Sequence, residues 1–142
     1  NQALDRILNF FPEEARNQLY TDLSLNLKGV VAQMLCPRID GKGRRAVIEV
    51  LVNTPLASDL IRKGEVTKLK ELMKKSREQG MVTFDQSLFD LYEEGDISYQ
   101  DALRLADSAN EVRLMIKLHG TRDKGSVPDE GLEGMALVDK DE

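Results

Sequence analysis

Two valine-rich runs, residues 30–36 and 46–52, constrain the fold of this chain more than any other feature of its sequence. Both are short and mainly apolar, which is typical of β-strands. The segment between them contains Gly41 and Gly43, which favour a tight turn, so the sequence predicts an antiparallel β-hairpin. The nearly continuous apolar character of the strands indicates burial on both faces, which two strands cannot achieve alone. The hairpin therefore requires neighbours, which need not belong to this chain.

Helical patterns precede the hairpin. The apolar residues of segment 3–11 share one helical face that ends at Pro12, and this proline suits the first turn of a second helix. Leucines at four-residue spacing then carry the second helix to about Gly29. The chain begins at Asn1, already in helical sequence and without a methionine, and we expect it to be a piece of a longer protein.

Helical patterns also follow the hairpin. Thr54 and Pro55 favour the start of a short helix that ends at Gly64, and residues 65–79 predict a longer one. The inward face of the short helix is predicted to hold three apolar side chains, those of Leu56, Leu60 and Ile61.

Residues 80–109 predict two further short helices joined by a turn. Thr83 and Gln86 have the spacing of a capping box, which places the start of the first of these helices. Gly95 ends it, and Ser98 with Asp101 caps the next.

Residues 109–118 leave two interpretations open. Their apolar residues partly alternate, as in a strand, whereas Ser108 with Glu111 forms a capping box that favours a helix. We favour the helix. From Gly120 onward, glycine, serine, proline and acidic residues predict an acidic flexible tail, in which only Leu132 and residues 135–138 are able to dock on another surface. The predicted fold class is α+β, mostly helical, with one antiparallel β-hairpin.

The distribution of charge excludes some classes of partner. The net charge is −5, of which the segment from Thr121 onward supplies −4, so the body is nearly neutral and has no dominant basic surface. We therefore predict that nucleic acid is not a partner. No apolar run is long enough to insert into a membrane. A single cysteine, Cys36, excludes an internal disulfide, and a single histidine, His119, excludes a histidine-based metal site.

No motif in the sequence predicts an active site, so we predict no catalytic, cofactor-binding or metal-binding residue in this chain. Residues 40–43 lack the spacing of a phosphate-binding loop and join two strands, so a solvent turn is favoured. The predicted helix 65–79 carries five basic residues interleaved with Glu71 and Glu78. This basic cluster is either a solvated face or a docking face for an acidic protein, and we favour the solvated face.

Several segments, in order along the chain, resemble one protein family. Residues 1–14, 49–55 and 80–85 together are similar to the C-terminal part of the PilT/PilU family of type IV pilus retraction ATPases. Residues 72–78 and 106–114 are more similar to the PilU branch than to the PilT branch. The resemblance covers residues 1–118 and depends on no single motif.

The resemblance implies a motor function for the parent protein. The family consists of homo-hexameric ATPases that couple ATP hydrolysis to pilus retraction and twitching motility at the cytoplasmic face of the bacterial inner membrane. It implies ATP and Mg²⁺ as ligands of the parent, and the pilus machinery and a PilT-like ATPase as partners. The family's nucleotide-binding motifs lie upstream of the segment that Asn1 begins, so we expect this chain alone to be inactive and to bind no cofactor.

The resemblance also implies a domain division and one site. Residues 1–53 correspond to the end of a RecA-like core, 54–119 to a helical C-terminal region, and 120–142 to the acidic tail. The family's retraction motif falls on residues 56–63. Three positions match it, Leu60, Ile61 and Arg62, and these are the predicted site residues; the other five, Leu56, Ala57, Ser58, Asp59 and Lys63, depart from it.

The alternative hypothesis is a free-standing helical module that binds other proteins and hydrolyses no ATP. The two hypotheses differ in whether the parent gene encodes a phosphate loop upstream of Asn1.

Overall fold

The computed structural model describes residues 12–122 of the 142-residue chain. In this range the elements follow in the order α1 (Glu13–Asn26), β1 (Gly29–Pro37), β2 (Arg44–Val52), α2 (Pro55–Arg62), α3 (Val66–Lys75), a 3-10 turn (Arg77–Gln79), α4 (Phe84–Glu93), α5 (Tyr99–Leu105) and α6 (Ala109–His119). The predicted fold class, mostly helical with one antiparallel hairpin, is confirmed. The predicted helix over residues 3–11 and nearly all of the predicted tail lie outside the described residues.

The two strands pair in register from Gly29 opposite Val52 to Pro37 opposite Arg44. The turn between them contains Gly41 and Gly43 with φ of 70° and 99°, a backbone conformation that glycine adopts without steric cost. Asp40 closes the turn, because its carboxylate accepts a hydrogen bond from the Lys42 amide at 2.8 Å. This segment is therefore a solvent turn, as the sequence predicts.

Only one face of the hairpin is covered by the residues that the structure describes. The inner face carries Val47 and Leu51, both fully buried beneath the helices. The outer face exposes Val31, Leu35 and Ile48, with Val31 72% accessible. Residues 12–122 therefore leave the outer face uncovered, which agrees with the prediction that the hairpin requires neighbours that need not belong to this chain.

Two groups of buried side chains form the core. The first lies between the turn end of the hairpin and α4, α5 and α6, and it contains Val47, Leu88 and Val112. The second lies between the open end of the hairpin and α1, α2 and α3, and it contains Leu51 and Leu69. Strand β2 contributes to both groups. Val47 and Leu51 are an even number of residues apart and therefore lie on the same face of the strand, one in each group.

One edge of β2 is covered and one edge of β1 is free. Val50 and Val82 exchange two backbone hydrogen bonds of 2.8 and 3.0 Å, which pairs the segment before α4 with β2. Within the described residues, β1 pairs only with β2. The unpaired edge of β1 is therefore next to the exposed apolar face of the hairpin, and the two form one continuous surface.

The predicted helix starts are confirmed. Thr83 and Gln86 form a complete capping box at α4, and the side chains of Ser98 and Ser108 cap α5 and α6. Residues Ala109–His119 form a helix, which decides between the two interpretations of that segment. The predicted helix 65–79 is shorter than expected, because α3 ends at Lys75 and a 3-10 turn follows.

We expect the 142-residue chain to self-associate through the outer face of the hairpin, because unpaired edges and apolar faces favour pairing with another copy. Light-scattering mass should rise with protein concentration, and Val31→Lys should keep the chain monomeric. Leu25→Lys is the matched control, since Leu25 is equally accessible at 71% but lies on α1. A wild-type chain that stays monomeric at high concentration would contradict this expectation.

Candidate interaction site on helix α2

Helix α2 contains the three predicted site residues, and its start is fixed by local sequence. The Thr54 hydroxyl accepts a hydrogen bond from the Ala57 amide at 3.3 Å, and Pro55 occupies the first helical position. The helix ends before Gly64, whose φ of 68° lies in the left-handed region. The Thr54 and Pro55 signals in the sequence therefore place this helix correctly.

Side chains from the neighbourhood of α2 tie it to the end of α1. The Asn53 amide group donates to the carbonyl oxygens of Ser24 at 3.1 Å and Leu27 at 2.8 Å. The Ser58 hydroxyl donates to the same Ser24 carbonyl at 2.7 Å. These bonds satisfy carbonyls that the end of a helix leaves without partners, so they fix α2 against α1.

The inward face of α2 consists of Ala57, Leu60 and Ile61, all buried in the second core. Two of the three predicted site residues, Leu60 and Ile61, are therefore packing residues that hold the helix in place. Leu56 was expected on this face and is instead exposed. The helix turns about 100° per residue, which places Leu56 at the border of the buried face while Ala57 occupies its centre.

The outward side of α2 combines one apolar side chain with a charged cluster. The Asp59 carboxylate pairs with the guanidinium of Arg62 at 2.7 Å and with the ammonium of Lys63 at 2.6 Å. Hydrogen bonds from Lys63 and then Arg62 hold the pKa of Asp59 below its usual value. We call Leu56, Asp59, Arg62 and Lys63 the α2 surface.

The Arg62 side chain of the α2 surface is exposed and paired on its own helix. The Arg62 side chain is 58% accessible, and exposed ion pairs of this kind contribute little to stability. The pairing with Asp59 fixes the direction of the guanidinium along the helix. Sequence reasoning missed Asp59, although its spacing of three and four residues from Arg62 and Lys63 is the usual signal for such pairs.

The basic cluster of the predicted helix 65–79 is mostly neutralised. Four of its five cations form ion pairs: Lys68 with Glu65, Lys70 with Asp107, Lys74 with Glu71 and Glu111, and Arg77 with Asp90. This pairing supports the interpretation of a solvated face over a docking face for an acidic protein.

No group of three or more His, Cys, Asp or Glu side chains within residues 12–122 has the geometry to hold a metal ion. No helix in the same range is long and apolar enough to cross a membrane.

Two buried carboxylates lie away from the α2 surface. Asp85 on α4 accepts hydrogen bonds from the amides of Asp107 at 2.7 Å and Ser108 at 3.2 Å, where the chain enters α6. Glu49 on β2 is 1% accessible, and within residues 12–122 neither of its oxygens meets the geometry of a hydrogen bond, although the Phe84 backbone amide lies close enough to lower its pKa. Burial is the main cause that raises the pKa of both groups.

No protein-family model matches the chain, but comparison with known proteins finds type IV pilus ATPases among its relatives. The chain is 67% identical over 123 residues to the type IV pilus ATPase PilU of Pseudomonas aeruginosa, covering 87% of this chain and 32% of that protein. It is 33% identical over 101 residues to the retraction ATPase PilT of the same organism, covering 71% of this chain and 29% of PilT.

The fold has a matching solved structure. The crystal structure of the pilus retraction motor PilT with bound ADP aligns with a TM-score of 0.68 and 30% identity, over 80% of this chain and 31% of that one. The chain therefore spans about a third of the length of the proteins it matches.

Proposed function

The chain belongs to the PilT/PilU family of type IV pilus ATPases, and we propose that it is the C-terminal part of a PilU-like motor that powers pilus retraction and twitching motility. The observation that carries this proposal is the 67% identity with PilU over 87% of the chain. The relatives are about three times as long as the matched segment, so the chain supplies only part of the motor.

We assign a separate role to each part of the proposed motor. ATP and Mg²⁺ bind to the part of the motor that this chain does not span, and residues 1–53 complete the ATPase core. The free edge of β1 and the exposed outer face of the hairpin support this assignment, because they offer a surface on which a larger core packs. The motor assembles as a homo-hexamer at the cytoplasmic face of the inner membrane and acts with a PilT-like ATPase.

The α2 surface is the proposed contact with a neighbouring subunit or with the pilus machinery. Its Arg62 matches the retraction motif of the family, and it is exposed while Leu60 and Ile61 are buried. Within residues 12–122, the ion-pair partner of Arg62 is Asp59 on its own helix. Its guanidinium therefore has donors left for a carboxylate or carbonyl of another chain.

A chimera tests the proposed function. This chain replaces the matching third of Pseudomonas PilU, and the chimera is expressed in a strain that lacks PilU. We expect it to hydrolyse ATP and to restore the PilU-dependent part of twitching. A folded chimera that hydrolyses ATP and restores no twitching contradicts the proposal.

Arg62→Ala in the chimera is expected to abolish or strongly reduce twitching while leaving the melting temperature and ATP binding nearly unchanged. Arg104→Ala is the matched control, since Arg104 pairs with Asp101 at the same three-residue spacing and the same 2.7 Å, with 59% accessibility. A thermal melt and a twitching assay on both variants separate the outcomes. Equal twitching by the two variants would show that Arg62 has no role in retraction. A large loss of thermal stability in Arg62→Ala alone would show that Arg62 has a structural role.

A further inference from the structure

The two cores of the structure are separate. The first core holds α4, α5 and α6 against the turn end of the hairpin, and the second holds α1, α2 and α3 against its open end. Among residues 12–122, no buried side chain belongs to both cores. We call the two parts the α4–α6 unit and the α1–α3 unit. Because each unit has its own core, each is able to move as one body.

The chain crosses between the two units at three points. On β1 the crossing follows Val30, and on β2 it lies at Glu49, between Val47 and Leu51. The third crossing is at Val82, which precedes α4 and pairs with β2. Backbone hydrogen bonds hold the three segments side by side, so the crossings form one short line across the hairpin. A few residues at the ends of elements are typical of hinges between rigid bodies.

The inner face of the hairpin joins the two units weakly at this line. It carries the methyl group of Ala32 there and, directly opposite on β2, the carboxylate of Glu49. Glu49 is 1% accessible, and burial of a carboxylate costs free energy. When the units separate, water reaches this carboxylate. Its hydration therefore offsets part of the free energy that is lost on opening.

Ion pairs close the two units beside the line. The Lys70–Asp107 pair lies near Glu49, because both of its charges act on the pKa of that carboxyl. The side chains of the three pairs are between 11% and 50% accessible, and exposed ion pairs of this kind are individually weak. We call the three pairs the latch: Lys70 with Asp107 at 3.0 Å, Lys74 with Glu111 at 2.7 Å, and Arg77 with Asp90.

We propose that the α4–α6 unit turns relative to the α1–α3 unit about the line through Ala32, Glu49 and Val82, and that the latch sets how often the units separate. Opening breaks the latch, hydrates the Glu49 carboxylate and leaves both cores intact. The α2 surface belongs to one unit and α6 to the other, so the hinge changes the position of one relative to the other. The hinge is independent of the proposed motor function, because every group in it lies within residues 12–122.

Pulsed electron paramagnetic resonance tests the hinge in the full 142-residue chain. Nitroxides at Asn17→Cys and Lys117→Cys report the distance between the units, and nitroxides at Gln100→Cys and Lys117→Cys report a distance inside the α4–α6 unit. The three labelled positions are exposed, whereas Cys36 is buried inside the first core and takes no label. Labelled chain is diluted with unlabelled chain, so that only distances within one chain contribute. We expect a second, longer-distance population for the first pair and a single narrow population for the second.

Three variants identify the groups that control the opening. Lys70→Ala with Lys74→Ala breaks two pairs of the latch and should enlarge the longer-distance population. Glu49→Met should reduce it, because the open state then gains no hydrated carboxylate. Lys68→Ala with Arg104→Ala is the matched control and should resemble the wild type, since it removes two ion pairs that each lie within one unit.

Three results would overturn the proposal. The first is a distance between the units that is the same in the latch variant and in its control. The second is a longer-distance population that Glu49→Met leaves unchanged. The third is a broadened distance between Gln100→Cys and Lys117→Cys in the latch variant, which would show that the α4–α6 unit itself unfolds.

Discussion

Replacing Asp85 with alanine is expected to lower the free energy of unfolding by on the order of 3 kcal/mol. Asp85 is 1% accessible, and its carboxylate accepts the amide hydrogens of Asp107 and Ser108. These bonds join α4 to the two residues that precede α6. Alanine leaves two amides near the core without acceptors, and a buried group without a partner is costly.

Urea unfolding of three variants checks this expectation. Asp85→Asn keeps one neutral acceptor and should be destabilised less than Asp85→Ala. Asp90→Ala is the control from the same helix, because Asp90 makes only a surface ion pair with Arg77. If Asp85→Ala is no less stable than Asp90→Ala, the two backbone bonds do not hold α6 in place.

The features that sequence reasoning found are those encoded within a few residues. The pairs Thr83–Gln86, Ser98–Asp101 and Ser108–Glu111 each join positions three apart, and each helix start was placed correctly. The two valine-rich runs and the glycines between them likewise predicted the hairpin and its turn. In each case the structure is determined by interactions between residues only a few positions apart.

The features that could not be predicted from the sequence depend on contacts between residues distant in sequence. Asp85 has the local pattern of a first-turn acid, but its partners lie 22 and 23 residues later. The covered face of the hairpin likewise depends on where α4 and α5 pack. On helix α2, the match to the family motif predicted Leu60, Ile61 and Arg62 as site residues without distinguishing among them. Only the packing of α2 against the second core separates the two buried residues from the exposed one.

Glu49 is expected to destabilise the chain at neutral pH. It lies on the inner face of β2 between Val47 and Leu51, each of which belongs to one of the two cores. Its carboxylate is buried, and among residues 12–122 no donor bonds it with normal hydrogen-bond geometry. Burial raises its pKa and the charge of Asp107 raises it further, whereas the charge of Lys70 and the Phe84 backbone amide lower it, so that burial decides the direction.

The direction of the pH dependence follows from the raised pKa. A glutamate in the unfolded chain has a pKa of about 4.3, so the folded state binds the proton more tightly than the unfolded state. The contribution of Glu49 to stability is therefore fully present below the unfolded pKa and is lost as pH rises through the folded pKa. Asp85, whose pKa is also raised, acts in the same direction.

Glu49→Met is expected to raise the free energy of unfolding at neutral pH by about 1–3 kcal/mol, because it replaces a buried carboxylate, poorly hydrogen-bonded within residues 12–122, by an apolar side chain of similar length. Glu49→Gln cannot titrate, so it should reduce the stability difference between mildly acidic and neutral pH without removing the part due to Asp85. Urea unfolding at both pH values measures these effects, with Glu94→Gln as the exposed control. A Glu49→Gln chain that keeps the full wild-type pH difference would show that Glu49 does not titrate in this range. A Glu49→Met chain less stable than wild type at neutral pH would show that the carboxylate supports the junction of the two cores.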